Sequence, residues 1–245
     1  MNIYAITARS NLTVVSYFAL LCVAFQYLSP DPVEAQSSEK IEYVYNIEMM
    51  KGHLEQAIAN KENGNNSLTQ AHILHPIAEI YDFIEAELGT ADSKLNSLLF
   101  TSLNNLSKNV EKLNASQFKG DTEKVSRMLD NATKLIVPEN NSTLNLIAAS
   151  WLLDTAEAEY ESGVANGKVT YAVEYQDALG FISRAESLLN ETLPVLNLTM
   201  SIPADEAMRE FSQLNTKTQS MADINDMRTI TTVIKQKISN ITGLY

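Results

Sequence analysis

The chain has 245 residues, 45% of them hydrophobic, and a formal net charge of -12 at pH 7. That apolar content is enough to bury a sizeable core, which excludes a disordered chain, and the negative charge repels phosphate backbones and anionic lipid, which excludes a nucleic-acid-reading role. With only 8 glycines and 6 prolines, and with Leu, Ala, Glu, Lys and Asn abundant, the composition predicts an all-α protein of long helices and short connections.

At the amino terminus, Arg9 precedes an apolar run from Leu12 to Leu28, and Val33-Glu34-Ala35 offers small residues at a cleavage point before Gln36. Residues 1–35 are therefore read as a secretory signal peptide or an uncleaved N-terminal anchor, the latter being the chain's only expected contact with a membrane. The run has about seventeen residues, short of the roughly 20 that a bilayer span needs. The single cysteine, Cys22, falls inside it, so the exported chain would carry no disulfide, thiolate metal site or cysteine nucleophile. Export is also implied by the glycan-acceptor pattern Asn-x-Ser/Thr, which begins at Asn65, Asn105, Asn114, Asn131, Asn140, Asn141, Asn190, Asn197 and Asn240. Helix capping is the other use for such asparagines. The expected location is extracytoplasmic: secreted, pseudoperiplasmic or on an archaeal or eukaryotic cell surface.

Eight helices follow in chain order. The first spans about 39–60, with a stripe of Ile41, Val44, Ile47, Met50, Leu54, Ala57 and Ile58 that His53 borders. After Asn63-Gly64-Asn65 the second spans about 67–88, its main stripe Leu74, Ile77, Tyr81, Ile84 and Leu88; a second line, Leu68, His72, His75, Glu79 and Asp82, runs almost opposite. The third (about 93–113) and fourth (about 122–136, ended by Pro138) complete a first unit, 36–138. The fifth (about 143–162) places Glu159 on the stripe of Ala148, Leu152 and Ala156, and the sixth (about 169–189) carries Glu174 and Asp177 on the flank of its apolar face. The seventh (about 204–214, after Pro203) and eighth (about 224–241) complete a second unit, 139–245. The units read as a repeat of about a hundred residues, Gly64 answering Gly167, arranged as two linked four-helix bundles or one merged array.

All three histidines lie in the first helical hairpin. His53 stands eleven residues before Gly64 and His75 eleven after it, so an antiparallel hairpin sets them opposite one another. Residues three apart share a helix face, so His72 and His75, with Glu79 one turn on, can turn two imidazoles and a carboxylate to one cation. The corresponding place in the second unit holds Glu174, Asp177 and, across the turn, Glu159. These form two candidate metal sites: His53, His72, His75 and Glu79, and Glu159, Glu174 and Asp177. A mixed set favours iron, and histidines alone favour copper or zinc. The histidine line lies where an amphipathic helix ordinarily meets water, although Ala71, Ala78 and Ala86 beside it permit close approach of another helix. No Gly-x-Ser-x-Gly elbow, phosphate-cradling Gly-x-x-x-x-Gly-Lys or His-Glu-x-x-His helix is present, so no enzyme is expected.

Leu152-Leu153, Glu159-Tyr160, Gly163-Val164, Gly167-Lys168-Val169 and Glu174-Tyr175-Gln176-Asp177-Ala178 with Phe181 resemble the extracytoplasmic helical domain that accompanies permeases of the high-affinity iron transporter family. The stretches Lys-Gly-His-Leu-Glu-Gln-Ala (51–57) and Ala-His-Ile-Leu-His-Pro-Ile-Ala-Glu (71–79) are similar to small exported archaeal proteins. The permease's membrane helices and Arg-Glu-Gly-Leu-Glu-type motifs are missing. The resemblance therefore implies a detached domain that binds, delivers or senses a metal outside the membrane, with Glu159, Glu174 and Asp177 matching the family's acids. A membrane metal transporter or another cell-surface protein is the expected partner. The alternative expectation is a cell-surface glycoprotein that acts as a structural or interaction module without metal.

Overall fold

The computed structural model describes residues 32–137 and 141–243; most of the expected signal segment, Cys22, the boundary at Pro138 and the sequon at Asn140 lie outside them. Among the described residues the fold is all-α, with nine α-helices and one two-residue antiparallel hairpin. Helix α1 covers Pro32–Glu62, α2 Asn66–His75, α3 Asp82–Ala91, α4 Ser93–Asn109 and α5 Ala115–Ile136. Helix α6 covers Ser142–Gly163 and leads through the hairpin β1 (Val164–Ala165) and β2 (Lys168–Val169) into α7, Ala172–Thr192; α8, Leu198–Gln219, and α9, Ile224–Thr242, follow. No described helix is long and apolar enough to cross a membrane.

Local chemistry fixes the ends. Asn65, Asp92, Asn114, Asn141, Asn197 and Asp223 each accept backbone N–H bonds at a helix start. Asn114 and Gln117 form a reciprocal capping box, which is why α5 begins seven residues before the expected 122. Likewise α8 begins at Leu198 rather than after Pro203. The Asn197 cap holds its first turn, and the proline, inside the helix, removes one N–H donor only.

The largest departure is in the second expected helix, which is broken by one π-type turn, Pro76–Ile80, closed by Tyr81 N–H donating to the Pro76 carbonyl at 2.9 Å. One residue added to a turn rotates everything beyond it by about 100°. Thus Leu74, read on the same stripe as Ile84 and Leu88, is 43% exposed while those two are fully buried. The face of α2 expected to meet water is the buried one: His72 is 0% exposed, enclosed by α1 and α7.

Ser37–Tyr245 form one compact unit. Its core joins the α1 stripe (Val44, Ile47, Met50, Leu54, Ala57) to Ala148, Leu152 and Ala156 of α6 and Ala178, Ile182, Ala185 and Leu189 of α7, each buried leucine or isoleucine contributing about 1.5–3 kcal/mol. Helices α1 and α7 touch backbone to backbone: a Cβ on Gly180 would stand 2.7 Å from the Gly52 carbonyl oxygen. Arg184 of α7 bridges to Glu48 at 2.7 Å and Glu55 at 3.0 Å on α1, and Lys51 links Glu48 at 3.0 Å to Asp130 of α5 at 2.9 Å.

Candidate metal centre

Three elements carry the site. The turn at Gly64, in the left-handed region with φ +74°, folds α2 back along α1, and the Asn65 N–H closes it on the Asn60 carbonyl at 2.8 Å. That hairpin brings the His53 and His75 rings to 4.9 Å between centroids, with His72 at 6.1 Å from His53 and 6.3 Å from His75. The Gly52–Gly180 contact then lets α7 approach closely enough to add Asp177, one turn before Gly180. Its Oδ1 lies 2.7 Å from His53 Nδ1 and 3.0 Å from His72 Nδ1, and its Oδ2 lies 3.3 Å from His75 Nδ1. One donor atom from each of the four residues lies within 4.8 Å of all the others.

Hydrogen bonding sets the direction of the imidazoles. Gln176 Oε1 accepts from Asn60 Nδ2 at 2.8 Å, so the His72 Nε2 that meets it at 2.8 Å must be the protonated nitrogen. In neutral His72 the Nδ1 lone pair consequently faces Asp177. His53, 4% exposed, has its Nδ1 beside Asp177 without the alignment of a hydrogen bond and makes no other. Three imidazole nitrogens thus converge on one carboxylate, a donor set of the kind that transition-metal ions take.

The charges respond to burial and to each other. Burial holds the His53 pKa below its usual 6.5 despite the attraction of Asp177. At His75 burial also pulls down, but Asp177, Glu79 and Glu159 outweigh it and the pKa is raised. Burial by itself would raise Asp177; the histidines around it hold its carboxyl well below the ordinary range. Glu159 is pushed up to about 8 by burial first and then by the carboxylates of Asp177, Glu174 and Glu79.

The two ligand sets read from the sequence therefore meet at a single place. Asp177 belongs with the histidines. Glu159 and Glu174, half-buried, and Glu79, exposed, lie in their electrostatic neighbourhood but outside the four converging atoms. The π-type turn explains Glu79: the α-helical spacing that would stack it on His75 is interrupted at Pro76. Sequence reading missed Gly52, Gly180, Gln176 and Asn60. Glycine inside a helical pattern was the available sign of a close backbone approach.

The sequons divide into two groups. Asn65, Asn114, Asn141 and Asn197 are helix caps, whereas Asn105, Asn131, Asn190 and Asn240 are exposed on helix surfaces.

No curated protein and no solved structure matches the chain. The kinship read from the motifs of the second half has a counterpart in a family model: residues 138–245, the stretch that builds α6 to α9 and supplies Glu159, Glu174, Gln176 and Asp177, match the iron permease-associated 4-helix bundle domain.

Proposed function

We propose that this chain is an exported, non-enzymatic helical protein that binds a transition-metal ion, iron by preference, and delivers it to a membrane iron permease or senses it there. The ligands in this reading are Nδ1 of His53, His72 and His75 and the carboxylate of Asp177. The observation that carries it is the donor arrangement: in neutral His72 the Nδ1 lone pair faces inward, the buried His53 Nδ1 lies 2.7 Å from Asp177 without an aligned hydrogen bond, and one carboxylate faces three imidazoles. A carboxylate balances one positive charge, so filling these nitrogens with protons leaves excess charge in a dry site, whereas one divalent ion satisfies all four donors together. Three imidazoles with one carboxylate suit iron, zinc or copper; the match of residues 138–245 to an iron permease-associated domain favours iron. The N-terminal apolar run and the sequons support a place outside the membrane.

Anaerobic equilibrium binding of Fe(II), beside Zn(II) and Cu(II), to the full chain and to a variant with all three histidines changed to alanine tests this. The reading expects one ion per chain, lost in the variant; no uptake by the unsubstituted chain would remove it. That result would leave the surface-glycoprotein alternative, which the exposed sequons at Asn105, Asn131, Asn190 and Asn240 favour.

A further inference from the structure

We propose that the ion reaches this centre through one face only, past His75 and between the acidic side chains of Glu79, Glu159 and Glu174, and that it enters as a hydrated cation rather than in an anionic chelate. The inference rests on the metal-binding reading above and concerns the route and form of the ion.

Exposure is the first argument. The side chains of His53, His72 and Asp177 are 5%, 0% and 4% exposed, against 26% for His75, so solvent meets the cluster at His75. Two other approaches are covered. The Gly52–Gly180 backbone contact and the Phe181 ring, 5.1 Å from that of His53, close the α1–α7 side. The Gln176–Asn60 pair covers Nε2 of His72.

Charge is the second. Glu79 lies one π-type turn beyond His75 and is exposed. On α6, Glu159 lies one turn before Gly163, which packs against the Tyr175 backbone of α7, and this register brings it alongside Asp177; Glu174 is on the same stretch of α7. Glu159 thus stands at the level of Asp177, with Glu79 on the turn that follows His75 and Glu174 three residues before Asp177. The route ends at Nδ1 of His53, a residue 4% exposed, which lies 2.7 Å from Asp177 Oδ1 and has no aligned hydrogen-bond partner.

Size is the third. Donor atoms within 4.8 Å of one another would close on a single ion, so a chelate would have to yield its arms to these four donors for the ion to enter. The carboxylates of Glu79 and Glu174 at the opening concentrate cations and repel anionic complexes. Entry is ligand exchange: rim carboxylates replace waters of the hydrated ion one at a time and then yield it to the imidazoles, with any displaced proton passing to solvent.

Rapid mixing of the full chain with Co(II), followed by its visible absorption, tests the route. With Glu79, Glu159 and Glu174 all changed to glutamine, association slows by about tenfold or more and loses most of its dependence on ionic strength, while the final Co(II) spectrum keeps its imidazole character. Glu123→Gln, an exposed acid on α5, leaves the rate unchanged. Supplied as its anionic nitrilotriacetate complex, Co(II) enters no faster than the chelate releases it. Equal rates in the triple variant, or direct uptake from the chelate, would overturn the route while leaving the metal centre intact; no Co(II) uptake by the unsubstituted chain would overturn both.

Discussion

Gly180→Ala probes how the fold makes the centre. The added methyl would stand 2.7 Å from the Gly52 carbonyl oxygen and 3.0 Å from its carbon, both backbone atoms that cannot rotate aside. Restoring ordinary contact, which begins near 3.4 Å, separates α1 from α7 by about 0.7 Å at this crossing. Overpacking of this kind costs about 1–3 kcal/mol, and replacing a helical glycine by alanine returns about 1 kcal/mol, so the metal-free protein should lose about 0–2 kcal/mol. For a unit of this size that lowers Tm by at most about 8 °C. The centre is less forgiving: metal–ligand distances tolerate only about 0.2 Å, and His53 and Asp177 sit on the two helices being separated. Affinity should therefore fall by at least about tenfold, or 1.4 kcal/mol, in a protein that still folds. Calorimetric metal titration with a melting curve of the metal-free form reads both. Unchanged affinity beside an unchanged Tm would refute the claim that the glycine contact sets the ligand geometry.

Four further outcomes are expected. Gly120→Ala, in the interior of α5 with open space around it, should stabilise by about 1 kcal/mol, seen as a higher Tm. Gln176→Leu removes the acceptor for His72 Nε2–H and should weaken metal binding by about 10–100-fold, while Gln176→Glu retains an acceptor and should weaken it less. Arg184→Ala strands Glu48, 5% exposed, and should cost about 3 kcal/mol in denaturant unfolding, the lower end for a buried pair because Lys51 remains 3.0 Å from Glu48. Metal affinity, followed by titration against pH, should begin to fall as pH drops through the raised pKa of His75, above 6.5, because each imidazole must lose its proton to bind.

Without metal the signs of the pH dependence differ among these groups. The raised pKa of His75 adds stability that is fully present below about 6.5 and is lost as pH climbs through the folded value. The lowered pKa of His53 acts oppositely: its unfolded form takes up a proton below about 6.5 that the folded form refuses, so stability drops as pH falls through that range. Glu159, at about 8 against an ordinary 4.5, makes the folded form the better proton binder between those values, so its contribution declines as pH rises from about 4.5 to 8. Changing Glu159 to glutamine should accordingly flatten the decline of the metal-free Tm toward pH 8.

Much of the fold is legible in the sequence because helix periodicity and capping are local. The stripe of α1 is buried as its spacing predicts, and Gly64 turns the chain where expected. Boundaries moved where a cap outweighed propensity, at Asn114 and Asn197, and where Pro76 inserted a wide turn. The pairing of His53 with His75 was readable because both sit equally far from one turn. The membership of Asp177, more than a hundred residues beyond His72 and His75, was not: it depends on a helix crossing made possible by Gly52 and Gly180, and neither glycine declares its partner. For the same reason the acids of the second half read as a separate site, although α7 carries one of them, Asp177, to the histidines.

The most direct measurement is X-ray absorption of the full chain loaded with one equivalent of Zn(II), the redox-silent probe of the same donors. The account predicts a four-atom nearest shell of three imidazole nitrogens and one carboxylate oxygen at about 2.0–2.2 Å, with the imidazole scattering lost when the three histidines are replaced. A shell made only of oxygen atoms, or one unaltered by those replacements, would contradict it.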